Sequence, residues 1–156
     1  MKVISHSVKE TLKIGRIIAK NTGPGDIICL FGELGSGKTV LTKGIAEGLG
    51  IKKEKVISPS FVLIRQHKKG KYPLYHFDLY RLTDLGDILG LGYEEYFYDK
   101  GIAVIEWADR LKGLLPEEFL KIKLSVKADS RRLLEFEAKG KRYKYLVRQI
   151  HEDIRN

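Results

Sequence analysis

Cysteine is almost absent from the 156-residue chain: Cys29 stands alone, beside one methionine, one tryptophan, four prolines and two asparagines. One cysteine can close neither an internal disulfide nor a multi-cysteine metal site. Long apolar runs are missing too. Stretches such as Ile27 to Phe31 fall far short of the ~20 residues a membrane span requires. The opening residues meet Lys9 and Glu10 too early for a secretory apolar region, so a cytoplasmic chain with no membrane association is expected. With asparagine only at positions 21 and 156, the chain has no Asn-Lys-x-Asp guanine-reading motif. Asp87-Ile88-Leu89-Gly90 spells D-x-x-G but lacks an apolar strand before it. A regulatory GTPase is thereby excluded, and ATP is the expected nucleotide. No repeat, low-complexity tract or proline-rich linker interrupts residues 1–156, which read as one domain.

The chain is 43% apolar and carries 29 Lys and Arg against 20 Asp and Glu, a net charge of +9. A chain of this length buries roughly 68–70% of its unfolded surface. The positive charge is uneven, since residues 121–156 hold 11 basic and 5 acidic side chains. Such a face attracts nucleic acid or an acidic protein, but it also suits a solvated lysine-rich surface, and charge alone does not choose.

Periodicity orders the chain into alternating elements. Residues 2–6 read as a strand. Ser7-Val8-Lys9-Glu10 has the form of a capping box, followed by Leu12, Ile14, Ile17 and Ile18 at helical spacing, so a helix is expected over 8–21. Gly23-Pro24-Gly25 ends it. Residues 26–31 are a buried strand, and 39–49 a helix closed by Gly50. Residues 61–67 and 72–78, rich in β-branched and aromatic side chains, flank a charged turn at 68–71 and read as a hairpin. Residues 84–98 are irregular and partly helical, and 102–105 form another buried strand. Residues 120–126 alternate strictly, 133–138 are their expected partner, and 141–155 form a basic terminal helix. The alternation of helices with apolar strands predicts an α/β fold, a three-layer sandwich of the phosphate-loop NTPase kind with a mostly parallel sheet and an antiparallel hairpin extension.

The chemistry centres on Gly32-Glu33-Leu34-Gly35-Ser36-Gly37-Lys38-Thr39, a complete G-x-x-x-x-G-K-[ST] phosphate loop between a strand and a helix. Its glycines let successive backbone N–H groups face one anion, and the helix N-terminus adds partial positive charge. Lys38 can reach the β- and γ-phosphates, and the Thr39 hydroxyl can ligate Mg²⁺. Gly101 to Glu106 is an apolar strand ending in an acid, the layout in which a carboxylate holds Mg²⁺ directly or through water. Asp78, at the end of Tyr75-His76-Phe77-Asp78, is a further candidate, for Mg²⁺ through water or for positioning the attacking water; a helix cap or an Arg81 partner is the plainer reading. Ser58-Pro59-Ser60-Phe61 is either a γ-phosphate-sensing loop or a simple turn. Cys29 reads as core packing. The four histidines lack metal-ligand spacing, although His76 shares a strand face with Asp78. Trp107, directly after Glu106, is placed near the site.

Gly32–Thr39, Ser58-Pro59-Ser60-Phe61, Tyr75-His76-Phe77-Asp78-Leu79-Tyr80-Arg81-Leu82 and Ile105-Glu106-Trp107, in this order, resemble the bacterial TsaE (YjeE) family over roughly residues 5–135. The resemblance implies an ATPase needed to place the threonylcarbamoyl group on the adenosine 3′ of certain tRNA anticodons. It further implies work with the TsaD transferase and the TsaB protein, with tRNA met through that complex, and weak hydrolysis when alone. By position it implies phosphate binding by Gly32, Gly35, Ser36, Gly37, Lys38, Thr39 and Val40, and Mg²⁺ held by Thr39 and Glu106. Lys38, Asp78 and Glu106 are then the catalytic candidates, with Asp78 acting at the γ-phosphate. Trp107 would lie beside the nucleotide, as would Arg131, where Ser130 replaces the family's usual glycine. Ser60 stands where the family usually has threonine. Two readings outside this one remain open: a small-molecule kinase with 84–98 as an acceptor lid, and a non-catalytic tRNA- or protein-binding module working through the basic tail.

Overall fold

A computed structural model describes residues 1–59 and 61–156; Ser60 lies outside the described residues. Seven strands form one sheet in the order β1-β7-β6-β2-β5-β4-β3. They are β1 (Lys2–Ser5), β2 (Ile27–Phe31), β3 (Ile64–His67), β4 (Leu74–Asp78), β5 (Ile102–Glu106), β6 (Phe119–Val126) and β7 (Arg132–Lys139). The central four, β6, β2, β5 and β4, run parallel. Antiparallel pairing extends the sheet at both margins, through the β3–β4 hairpin on one side and β6–β7–β1 on the other. This is the expected α/β sandwich, with a second antiparallel margin built by the two ends of the chain.

The helices are α1 (Val8–Asn21), α2 (Lys38–Gly48), α3 (Leu85–Gly90), α4 (Tyr93–Phe97) and α5 (Lys141–Arg155). The capping box closes as expected: Ser7 Oγ accepts from the Glu10 N–H, while the Glu10 carboxylate takes the N–H of His6 at 2.6 Å. Helices α1, α2 and α5 cover one sheet face, burying Ile18, Leu41, Ile45 and Leu146 against Ile28, Leu30, Val104 and Ile122. On the other face Ile88, Tyr93 and Phe97 pack over Cys29, Phe77, Ala103 and Ile105. That second helical layer covers the β2-β5-β4 half. On β6 and β7 the same face carries Lys121, Lys123, Glu135 and Glu137, with Lys121 and Glu137 paired at 3.3 Å.

The hairpin is shorter than its sequence suggests. Pro59's carbonyl accepts the N–H groups of both Val62 and Leu63, and Leu63 takes a left-handed φ of 61°, so residues 61–63 close a turn and pairing begins only at Ile64.

Candidate functional site

Four parallel strands carry their C-terminal ends to one edge of the sheet, the edge at which open α/β sheets place ligands. There a cavity of about 600 Å³ opens between the β2–α2 loop, the ends of β4 and β5, and the β1–α1 junction. Gly35, Gly37, Lys38, Thr39, Val40, Asp78, Glu106 and Trp107 all line it.

The loop's shape depends on two glycines. Gly32 sits at φ +144°, where an added Cβ would lie 2.3 Å from the Leu124 carbonyl oxygen and 2.7 Å from Ser36 Oγ. Gly37 caps α2 at φ 103°, a left-handed conformation that glycine adopts without steric cost. The loop thus wraps on itself and aims the free N–H groups of the α2 N-terminus at the cavity. Lys38 is 4% exposed. Its ammonium donates to the carbonyls of Gly32 (2.6 Å) and Glu33 (2.9 Å) and to Ser36 Oγ (3.3 Å), and lies 4.0 Å from the centroid of the Trp107 ring. Burial pulls its pKa below the ordinary lysine value, while Glu106 and Asp78 pull the other way.

Glu106 is 2% exposed and three donors hold it. Thr39 Oγ1 donates to Oε2 at 2.8 Å and Thr42 Oγ1 to Oε1 at 3.1 Å; His76 Nε2 lies 2.8 Å from Oε1. The β4–β5 register sets Asp78 directly opposite Glu106. Asp78 accepts the Tyr80 N–H at 3.0 Å on one oxygen and the Ser58 hydroxyl on the other. Arg81 leaves Asp78 alone and stacks over the Phe61 ring instead. Trp107 takes a left-handed φ of 56° and packs against Tyr80 with 4.9 Å between centroids, forming a wall beside Lys38. Ser58 therefore reaches the site; the expectation for its neighbour Ser60 falls outside the described residues.

Three placements differ from the sequence reading. Arg131 is not on the cavity: its guanidinium turns to the Ala128 carbonyl and Asp129. Ser130 and Arg132 line the cavity instead, and Arg132 reaches the Gly35 carbonyl at 3.4 Å. The reason is a left-handed kink at Asp129 and Ser130, which shifts by one residue the side chain that turns inward. His6, Ser7 and Val8 also line the cavity; the capping box that places them is visible in the sequence, but their position in space is not. Residues 84–98 form no lid, since α3 and α4 pack on the opposite sheet face from α2.

Among the described residues no three His, Cys, Asp or Glu side chains assemble into a metal cage. The hard oxygen donors of Thr39 and Glu106 suit Mg²⁺, which keeps several waters and takes phosphate oxygens as further ligands.

A loop that exposes amide donors beside a lysine, a threonine and two strand-end carboxylates is thus assembled at one sheet edge, and a family model matches residues 5–134 under the description Threonylcarbamoyl adenosine biosynthesis protein TsaE. The chain belongs to the TsaE family. It is 42% identical over 150 residues to the Bacillus subtilis protein named tRNA threonylcarbamoyladenosine biosynthesis protein TsaE, covering 95% of this chain and 93% of that one. The Treponema pallidum protein of the same name is 39% identical over 132 residues, 85% of this chain and 96% of its own. The crystal structure of YdiB from Bacillus subtilis superposes with a TM-score of 0.84 at 37% identity, covering 98% of this chain and 95% of that one. Among the described residues no helix is long and apolar enough to cross a membrane.

Proposed function

We propose that this TsaE-family chain binds ATP with Mg²⁺ in the cavity beneath the Gly32–Thr39 loop and hydrolyses it in support of tRNA threonylcarbamoyladenosine formation, in the cytoplasm and with TsaD and TsaB as partners. The observation that carries this reading is the convergence of Lys38, Thr39, Asp78, Glu106 and Trp107 on one 600 Å³ cavity whose rim is a helix N-terminus.

Each residue has a task that follows from its position. The N–H groups of Gly35 to Val40 take phosphate oxygens. Lys38, bonded only to neutral oxygens of its own loop, exchanges those carbonyls for phosphate charge, and such charge-assisted bonds are about twice as strong as neutral ones. Thr39 and Glu106 would hold Mg²⁺, which neutralises charge developing on the transferred phosphoryl group. Asp78, buried and oriented by Ser58 and Tyr80, is set to position water at the γ-phosphate. The Trp107 wall shields the lysine from solvent. The kinase alternative loses its support with the lid, because the 84–98 stretch lies away from the cavity.

A titration with a fluorescent ATP analogue tests the site. Removing a charge-assisted bond costs roughly 1.5–3 kcal/mol, so Lys38→Ala is expected to lower affinity roughly ten- to a hundred-fold. Emission from Trp107, the chain's one tryptophan, should respond to nucleotide in the wild type. Equal affinity in both proteins and a silent tryptophan at saturation would refute the assignment.

A further inference from the structure

A second cavity lies at the other end of α2. It has a volume of about 430 Å³ and is lined by Lys52, Lys55, His67, Lys68 and Lys69 together with Gly50, Ile51 and Gln66. The segment after α2 forms one wall and the β3–β4 turn the other; the Lys71 N–H, bonded to the Leu49 carbonyl at 2.7 Å, ties them together. Helix α2 has 11 residues, about 16 Å of helix at 1.5 Å per residue, so this cavity stands well apart from the Gly32–Thr39 loop.

Two observations mark this cavity. The first is charge. Residues 52–71 carry seven Lys and Arg and one acid, Glu54. Among the described residues Lys52, Lys55, Arg65, Lys68 and Lys69 form no ion pair. Of the acids in the region, Glu47 is taken by Arg16 and Lys53 and Asp99 by the Tyr75 hydroxyl. The second is a set of unmet hydrogen bonds. Among the described residues, the buried side-chain nitrogens and oxygens lacking a partner are Arg65 Nε, His67 Nε2 and His76 Nδ1. All three belong to β3 and β4: Arg65 pairs in register with His76, and His67 lies two residues along β3 on the same strand face. Buried polar groups are nearly always satisfied; of these three, His67 lines the cavity, so its unmet ring nitrogen is available to a partner from outside the chain. Burial holds the His67 imidazole below its usual pKa, and His76 and Arg65 push it further the same way.

We infer that the cavity between residues 50–55 and the β3–β4 turn is a phosphate-binding site for the backbone of an RNA strand. An enclosed pocket would suit a small anion. Here the four lysines are exposed around an open mouth, where flexible ammonium groups neutralise successive phosphodiesters without reading bases. The site does not rest on the nucleotide reading, because it shares no residue with the Gly32–Thr39 cavity.

The test is retention of an unmodified tRNA transcript by the full-length protein at two salt concentrations, with inorganic phosphate as a separate probe. Each phosphate contact contributes roughly 0.7–0.9 to the slope of log affinity against log salt. Changing Lys52, Lys55, Lys68 and Lys69 together to Gln is expected to weaken retention at least tenfold and to flatten the slope by about two or more, whereas changing the same four to Arg keeps both. Retention is read without nucleotide, which separates this site from a failure of the ATP assignment. Equal retention and equal slope in wild type and the Gln variant would overturn the inference, as would no retention by the wild type. If inorganic phosphate moves the His67 ring resonance in the wild type while the Gln variant still holds tRNA normally, the site takes a free oxyanion and the RNA assignment falls.

Discussion

A carboxylate that is 2% exposed is costly unless its lone pairs are met, and at Glu106 they are met by Thr39, Thr42 and His76. Glu106 and Thr39 are legible in the sequence because each closes a recognisable motif. Thr42 carries no such mark, although three residues beyond Thr39 is the same helix face. His76 can be assigned to the face of Asp78 by strand alternation, but its bond to Glu106 depends on the register between β4 and β5, which no single strand's pattern contains. Arg131 and Arg132 show the opposite limit: a two-residue left-handed kink before β7 shifts by one the side chain that turns inward. His76→Leu keeps the volume of the ring and removes its donor. Leaving a buried charged group short of one bond costs roughly 1–3 kcal/mol, so the urea midpoint should fall with an unchanged slope, and His76→Gln, which restores an N–H, should recover part of the loss. If both variants melt with the wild type, the bond to Glu106 contributes nothing to stability.

The loop keeps its shape because α2 is fixed behind it. Helix α1 crosses α2 with almost no space between the backbones: a Cβ on Gly15 would lie 2.7 Å from Gly44 main-chain atoms, and one on Gly44 only 2.5 Å from the Leu12 carbonyl. These obstacles are backbone, so they cannot swing aside. That both helices exist follows from apolar periodicity, and the capping box and Gly50 bracket their ends. The close crossing is not legible, since a glycine within a helical pattern reads only as a weak spot; what fixes it is the partner helix. Gly44→Ala forces the helices apart and is expected to cost about 1–3 kcal/mol, the usual range for overpacking, seen as a lower denaturation midpoint. Gly90, with open space around its missing Cβ, is the contrast: Gly90→Ala in α3 should be neutral or slightly stabilising. Equal behaviour of the two would show that the crossing tolerates a methyl group.

Across the molecule, charge follows the topology more than the sequence order suggests. The last quarter of the chain stands out as basic on a first count. Residues 52–71 carry an equal excess, seven basic against one acidic, while residues 72–120 hold four basic and ten acidic side chains, so the net +9 averages segments of opposite sign. Titration tests the sheet as a whole, because the groups most perturbed by folding lie on both of its faces. Tyr143 on α5 accepts the Ile27 N–H at 2.8 Å and burial pushes its pKa up to about 12. Tyr75, on the face under α4, is pushed to about 12 by its bond to Asp99 and then by burial. Burial also raises the Cys29 thiol. Each group holds its proton more tightly folded than unfolded, so each contributes stability that is complete below its unfolded pKa and lost as pH rises through the folded one. The ordinary values are 9.0 for the thiol and 10.0 for the phenols. Stability is therefore expected to hold level up to about pH 9 on these groups' account and to fall from there to about pH 12. Tyr143→Phe removes one titrating group and should make the fall between about pH 10 and 12 shallower, read as urea midpoints across the range. A fall of unchanged steepness would mean that Tyr143 ionises as readily in the fold as out of it, and that α5 does not seal that end of β2.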